Sequence, residues 1–301
     1  MLVADVPKVT VDIAPVHSLV SKVMNGVGKP DLIIPAGASP HEYQLKPSNA
    51  QSLEDADIVF WIGEDLTPWL EKGLSSLAQD ASITSLLGVD GIELLSFREG
   101  ALFEAHDHDD HDGHDDHDDH DDHDDHEGHA HGEYDPHAWL SPQIAKVWLN
   151  VIAAKLSEMD PDNAAKYFSN AKSARDNVDS LVSEVNSILD PMRDKKFVVF
   201  HDAYQYFEKD FGISASGAIS LGDASDPSPA RLAEIRKRVV DEAVECVLAE
   251  PQYKQGLVKA VVEGTNANTA VIDPLGVKLE SGPNLYENLI RNLATNLAKC
   301  F

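Results

Sequence analysis

Histidine is the residue whose distribution in this sequence points most directly to chemistry. Ten of the fourteen histidines fall within residues 104–133, mostly in a His-Asp-Asp repeat with a histidine at every third position. Neutral imidazole is a good ligand for Zn, Cu and Ni, and clustered carboxylates concentrate divalent cations. A segment with so little apolar surface is expected to be disordered and to bind several ions weakly. The tract histidines are His106, His108, His111, His114, His117, His120, His123, His126, His129 and His131.

Three of the four histidines outside this tract occupy positions suited to a more specific site. His201 directly follows an apolar run, and ligands in open α/β folds gather outside the carboxyl ends of strands. His41 and His137 lie in predicted loops between regular elements. Three imidazoles from separate segments can hold one metal ion and leave a fourth position for a carboxylate or water.

Asp273 is the natural candidate for that fourth position. It follows the apolar run 270–272, again at the predicted end of a strand, so its carboxylate could complete a tetrahedron. The alternative is an aspartate that caps a turn or a helix. The remaining histidine, His17, lies at the start of a predicted helix and is interpreted as a cleft wall or a packing residue.

Catalytic hypotheses have less support. The sequence has no Gly-x-Ser-x-Gly elbow, no His-Glu-x-x-His pair, no Gly-x-x-x-x-Gly-Lys phosphate loop and no Cys-x-x-Cys. Glu42 and Asp202 adjoin two candidate ligands and could act as general bases beside a metal-bound water, as in a zinc hydrolase. The simpler interpretation is that they orient the imidazoles, so we predict a binding protein and not an enzyme.

The net charge of the chain restricts the classes of molecule that it can bind. The net charge is −28, and sixteen acidic residues between Glu104 and Asp135, without a Lys or Arg, carry more than half of it. A chain this acidic repels nucleic acid and anionic lipid and favours cationic ligands. No stretch approaches the roughly 20 apolar residues that span a bilayer, and the first residues lack a signal-peptide layout. We expect a soluble protein, either cytosolic or a mature secreted form.

The cysteines leave the compartment open. Cys246 lies in an apolar run and Cys300 next to the last residue of the sequence. Two cysteines suit one disulfide in an oxidising compartment, or equally two unrelated buried thiols, because pairing cannot be deduced from spacing.

Alternating apolar strands and amphipathic helices must position these residues. That alternation occurs before the tract and again after residue 191, with strands expected at 9–13, 32–35, 58–62, 92–97, 197–200, 214–219, 246–249 and 270–272. It predicts two α/β lobes, each a mainly parallel sheet flanked by helices, with the metal site in the cleft between them. The segment 163–189 lacks Pro and Gly and predicts one long, rigid connecting helix. The expected divisions are an N-terminal lobe over 1–158, a connector over 160–190 and a C-terminal lobe over 191–301.

Several motifs occur together in an order that a known family shares. They are Gly37-Ala-Ser-Pro-His-Glu-Tyr43, Pro47-Ser48 with 56–63, the acidic histidine tract, His137-Ala-Trp-Leu-Ser-Pro142, Phe200-His-Asp-Ala-Tyr204 with Phe207-Glu-Lys209, Ala249-Glu-Pro-Gln252 and Asp273-Pro-Leu-Gly276. The chain thereby resembles the ZnuA-type periplasmic zinc-binding proteins, in the metal-binding family of ABC-transporter solute-binding proteins.

The resemblance implies a ligand set, a cargo and partners. It implies that His41, His137 and His201 hold Zn(II) as the transported ligand between two lobes. It further implies a periplasmic location, a disulfide between Cys246 and Cys300, and delivery to an ABC-type membrane permease with its ATPase. We expect a monomer, and a periplasmic zinc metallochaperone is a further candidate partner.

One position departs from part of the family. Some zinc-uptake members carry a glutamate immediately before the first histidine, and here that position is Pro40, which cannot coordinate. The fourth ligand is then Asp273, as in manganese- and zinc-binding relatives, or water, and Asp273 is favoured. Three imidazoles suit zinc better than manganese, which prefers oxygen ligands. Manganese is the alternative cargo, and a zinc buffer or chaperone is the alternative function.

Overall fold

The computed structural model describes residues 6–98, 103, 134–220 and 227–301, so the histidine tract and its expected disorder lie outside the described residues. The first sheet is parallel, with strands in the order β2-β1-β3-β4. Its strands are β1 (Val9–Val11), β2 (Asp31–Leu32), β3 (Ile58–Trp61) and β4 (Ser82–Ser85). The predicted parallel architecture is confirmed for this half of the chain.

The second sheet repeats the same topology. Its strands are parallel, in the order β6-β5-β7-β8. They are β5 (Phe197–His201), β6 (Ala218–Ser220), β7 (Cys246–Ala249) and β8 (Asn268–Val271). In each sheet the strand order reverses between the first and third strands, β1 and β3 or β5 and β7. Open α/β sheets form their binding crevice at the carboxyl end of such a pair.

Helices cover both sheets. Several carry proline at their first or second residue, where its missing N–H would have no partner in the helix. The helices are α1 (Ala14–Val23), α2 (Pro47–Glu54), α3 (Pro68–Leu77), α4 (Pro142–Met159), α5 (Ala164–Leu189), α6 (Gln205–Phe211), α7 (Pro229–Asp241), α8 (Gln255–Val262) and α9 (Leu285–Ala298). None of the described helices is long and apolar enough to cross a membrane.

The long connecting helix is confirmed as α5. At a rise of 1.5 Å per residue its 26 residues extend roughly 39 Å. It buries one stripe at helical spacing and packs against α4, α1 and α9. Near its start, Asn170 Nδ2 donates to the carbonyls of Val23 and Asn25, each at 2.8 Å. Near its end, Glu184 pairs with Arg291 of α9. One helix therefore contacts elements of both lobes.

The prediction of a strand at 92–97 is wrong. The edge of the first sheet beside β3 is taken by β4, whose Ser-Ile-Thr-Ser sequence is too short and polar to stand out. Because β4 is an edge strand with a single neighbour, its side chains do not have to be apolar on both faces of the sheet. The segment 92–98 instead lies against α6 and forms a single antiparallel bridge, between Ser96 and Tyr134.

Asp12 ties the central strands of the first sheet together at their carboxyl ends. Its side chain is fully buried; Oδ1 accepts the N–H of Ile13 and Oδ2 that of Ile62, each at 2.7 Å. Burial raises the pKa of Asp12 to about 7, although these N–H donors act in the opposite direction. Between about pH 4 and pH 7 the folded protein therefore holds a proton on this carboxyl that the unfolded chain has lost.

Asp12→Asn should alter the pH dependence of stability. The pKa of Asp12 is higher in the folded protein than in the unfolded chain, so protonation of Asp12 favours the folded state. This contribution to the free energy of unfolding is fully present below about pH 4 and is lost as the pH rises through 7. The free energy of unfolding of the wild type should fall relative to Asp12→Asn across this range, by up to about 4 kcal/mol. Urea unfolding at several pH values measures it. Asp176→Asn, at an exposed carboxylate, is the control. A wild-type to variant difference independent of pH would contradict the prediction.

Candidate metal centre

The three isolated histidines come together in the structure. The ring centroids of His41 and His137 are 5.5 Å apart, and those of His137 and His201 are 5.3 Å apart. With Zn–N bonds of about 2.0–2.1 Å, two imidazoles in a tetrahedral site have centroids roughly 5 Å apart. The rings line a cavity of ≈ 10 Å³, which has room for one ion or water and not for an organic solute.

The histidines are neighbours, but they do not form a closed cage. Within the described ranges, no three His, Cys, Asp or Glu side chains could hold a metal ion as they stand. The rings are inclined to each other by 47° and 63°. The centroid spacing of these two pairs nevertheless lies close to that of imidazoles in a tetrahedral site.

His201 is oriented by a buried glutamate. The register of β5 and β7 pairs Phe197 with Cys246, so the ends of these adjacent strands bring His201 beside Glu250. His201 Nδ1 lies 2.7 Å from Glu250 Oε1. The exposed fractions are 4% for His201 and 2% for Glu250. A carboxylate on one ring nitrogen fixes the tautomer and makes the other nitrogen, Nε2, a more basic ligand.

His137 has the same arrangement with a different partner. Its Nδ1 lies 2.7 Å from Asp135 Oδ1, and its backbone N–H donates to the same oxygen at 2.9 Å. The start of α6 holds Asp135 in turn: Gln205 Nε2 donates to Oδ2 at 3.2 Å, and the Tyr206 hydroxyl donates to the Asp135 carbonyl at 2.8 Å. Nε2 of His137 is again the nitrogen left for a ligand.

His41 reaches the cavity from the loop that follows β2. Trp69 of α3 fixes this loop by donating its indole N–H to the Pro40 carbonyl at 2.7 Å. The His41 N–H donates to Ser39 Oγ at 3.3 Å. His41 is half-buried, whereas His137 and His201 are buried. It is therefore the most accessible of the three imidazoles.

Asp273 adopts the turn-capping arrangement. Its Oδ1 accepts the N–H groups of Leu275 and Gly276 at 3.0 Å, and its Oδ2 accepts that of Val277 at 2.6 Å. Gln252 Nε2 also donates to Oδ1, at 3.3 Å. The carboxylate thereby shapes the loop whose Leu275 lines the cavity, while Asp273 is not one of the lining residues.

The other candidate residues do not line the cavity between the histidines. Glu42 is exposed, and Asp202 is engaged by the guanidinium of Arg98. His17 Nε2 donates to the Pro30 carbonyl at 3.0 Å. Burial lowers the pKa of His17, although that carbonyl acts in the opposite direction. Of its two interpretations, the packing residue fits these contacts.

Sequence reasoning missed the two orienting carboxylates. Glu250 directly follows the strand Cys246–Ala249, the same kind of position that drew attention to His201. Asp135 precedes His137 by two residues. Glu250 belongs to the motif Ala249-Glu-Pro-Gln252, whereas Asp135 lies just before the motif that begins at His137.

The disulfide between Cys246 and Cys300 is confirmed. The Cα atoms are 5.8 Å apart, and the bond joins the start of β7 to the segment after α9. It closes a loop across the second lobe and holds the segment after α9 beside β7, the strand that Glu250 follows.

Fold and site together define a class: two-lobed solute-binding proteins of the metal-binding kind, with histidines at the cleft edge of both lobes. The chain belongs to the ZnuA family, zinc-uptake complex component A, periplasmic, whose family model matches residues 9–300.

Named relatives are similar over almost their whole length. The high-affinity zinc uptake system protein ZnuA of Brucella abortus (strain 2308) is 49% identical, over 97% of this chain and 91% of the relative. The protein of the same name from Paracoccus denitrificans (strain Pd 1222) is 44% identical, over 99% and 92%.

Solved structures share the fold at lower identity. A crystal structure of ZnuA matches with a TM-score of 0.78 at 22% identity, covering 98% of this chain and 99% of that one. The solute-binding protein FpvC from Pseudomonas aeruginosa, in complex with Mn2+, matches with a TM-score of 0.78 at 18% identity, covering 98% and 97%. At these identities the likeness concerns the fold alone.

Removing the disulfide should destabilise the protein. The 54-residue separation predicts a loss of roughly 4 kcal/mol in the free energy of unfolding by loop-closure entropy. Denaturation of the Cys246→Ala/Cys300→Ala variant measures the loss. Wild-type protein under reducing conditions is the matched control and should lose a similar amount. Equal stability of oxidised and reduced wild type would contradict the prediction.

Proposed function

We propose that this protein captures Zn(II) with high affinity in the periplasm and delivers it to an ABC-type membrane permease driven by its ATPase. His41, His137 and His201 bind the ion. The observation that carries this proposal is the convergence of three remote imidazoles on one ion-sized cavity. Relatives 44% and 49% identical, named as high-affinity zinc uptake proteins, support the same cargo.

Zinc fits this donor set better than manganese does. Imidazole nitrogen suits Zn(II), whereas Mn(II) favours sites dominated by carboxylate, carbonyl and water oxygens. The nearest carboxylates, Glu250 and Asp135, already accept hydrogen bonds from the imidazoles and act on the ion through them. Manganese transport is therefore the weaker alternative.

We propose water as the fourth ligand. To coordinate the ion through a carboxylate oxygen, Asp273 would have to weaken its bonds to the N–H groups of Leu275, Gly276 and Val277. Those N–H groups would then be left without an acceptor in a part-buried loop, which is costly. A water molecule satisfies the tetrahedron without that loss.

Binding requires only small movements in this proposal. The indole N–H of Trp139 donates to the Pro274 carbonyl at 2.8 Å, and the Tyr286 hydroxyl donates to the Trp139 carbonyl at 3.0 Å. These bonds, like α5, connect the two lobes. His41, the accessible ligand, closes on the ion while the lobes keep their relative position, so solution scattering should give nearly equal radii of gyration with and without zinc.

The acidic histidine tract is proposed as an auxiliary, low-affinity zinc-binding segment. Its carboxylates and imidazoles attract divalent cations and so raise the local zinc concentration. We propose lobes over 1–158 and 191–301, a connector over 160–190, and a monomeric protein. A periplasmic metallochaperone that delivers zinc to the tract is a further proposed partner.

Zinc titrations should separate the cleft from the tract. Deletion of residues 104–133 should leave one tight site, whereas His201→Ala or His41→Ala should remove it, because two imidazoles cannot complete the zinc set. Competition with a chromophoric chelator measures both affinity and stoichiometry. His17→Ala is the control, since His17 bonds to the Pro30 carbonyl. Loss of tight binding on deletion of the tract would favour the buffer hypothesis and overturn the transport proposal.

The orienting glutamate should contribute to affinity. Glu250→Gln keeps the size of the side chain but removes the charge behind His201, so zinc affinity should fall about 10-fold or more. Glu245→Gln is the control; Glu245 lies just before β7 and pairs with Lys195 at the surface. The same chelator competition applies. Wild-type affinity in Glu250→Gln would show that the pair does not tune the ligand.

A further inference from the structure

A buried ion cluster lies beside the metal centre without belonging to it. Arg98 Nε donates to both carboxylate oxygens of Asp202 at 3.0 Å, and its Nη2 also bonds to Asp202 Oδ1. Nη1 donates to Glu208 Oε2 at 2.8 Å, and Nη2 donates to Oε1 at 3.1 Å. The rigid guanidinium thus engages two carboxylates at once, a geometry that lysine cannot reproduce.

The cluster has one cation for two nearly inaccessible anions. The exposed fractions of the Asp202 and Glu208 side chains are 4% and 5%, and that of Arg98 is 17%. Glu208 Oε2 also accepts the N–H of Ala215 at 3.1 Å. Removing the cation would leave two buried carboxylates close together without compensation, a strongly unfavourable state. The loop carrying Asp202 would have to move to regain water.

Arg98 belongs to a two-segment structure that we call the stem, residues 92–98 and 134–137. Ser96 bridges Tyr134, and the Asp135 N–H donates to the Leu95 carbonyl at 2.8 Å. The first segment thus contains Arg98, the cation that holds Asp202, and the second contains His137, a predicted zinc ligand.

The start of α6 joins the stem to the supports of the histidines. Gln205 Nε2 donates both to the Ser96 carbonyl and to Asp135. The Tyr206 hydroxyl accepts the Leu95 N–H at 3.0 Å and donates to the Asp135 carbonyl. The loop between β5 and α6 therefore begins after His201 and ends at Gln205 and Tyr206, the residues that hold Asp135.

We propose that Arg98 is a positioning residue for zinc capture: by holding Asp202 and Glu208 it fixes the β5–α6 loop so that His201 and His137 face one cavity. The inference rests on the proposed function, because it takes these histidines as ligands. Arg98 itself does not contact the ion. Its effect is transmitted through Asp202, the direct chain neighbour of His201, and through α6 to Asp135.

The test compares Arg98→Gln and Arg98→Lys in the full chain with wild type. Arg98→Gln should bind zinc at the cleft about 10-fold or more weakly. Loaded with Co(II), it should also show a changed visible absorption, because His201 no longer meets the ion at the same angle. Arg98→Lys, which keeps the charge without the fork, should recover part of the affinity. Arg291→Gln, which removes a surface ion pair of α9, is the control and should match wild type.

The measurements separate positioning from stability and from the proposed function. Melting temperatures of all variants report a merely structural contribution, and Arg98→Lys remains informative if Arg98→Gln folds poorly. Wild-type zinc affinity and Co(II) absorption in the folded Arg98 variants would overturn the inference, whatever their melting temperatures. A tight site that survives His201→Ala would instead overturn the proposed function.

Discussion

A carboxylate bonded to one imidazole nitrogen fixes the tautomer and orientation of the ring and makes its other nitrogen a better metal ligand, and this pairing organises the centre of the molecule. His137 and His201 each place Nδ1 2.7 Å from a buried carboxylate, Asp135 or Glu250. The positions of these carboxylates are set by the fold. The parallel pairing of β5 and β7 brings Glu250 to His201, and the start of α6 holds Asp135 beside His137.

Carboxylates serve this protein as structural elements as well as surface charges. Buried and part-buried acids are costly unless they are paired, and here their partners are backbone N–H groups or a guanidinium. Asp12 and Asp273 accept backbone N–H groups at the ends of strands, whereas Asp202 and Glu208 share the guanidinium of Arg98. The abundance of acidic residues in the sequence suggested only attraction for cations. In the structure, some of these carboxylates also hold the strand ends and loops around the cleft.

The two lobes form a frame suited to a small cargo. The cavity beside the histidines has room for one ion, so a wide closing motion would gain little contact. The helix α5 contacts both lobes along its length, and bonds such as that from Trp139 to the Pro274 carbonyl connect them near the site. In the proposed function, selection of the cargo therefore depends on ligand type and orientation more than on domain closure.

The amino-acid sequence alone determined the two α/β halves and the long helix, and it singled out His41, His137 and His201 as candidate ligands. Apolar periodicity and the position of a residue after a strand or before a helix are local properties. The tertiary structure decided what those residues meet. Only strand pairing shows that Glu250 orients His201, and only the loop geometry shows that Asp273 caps backbone N–H groups. A sequence records which residue follows a strand, but contacts between remote segments arise only when the chain packs.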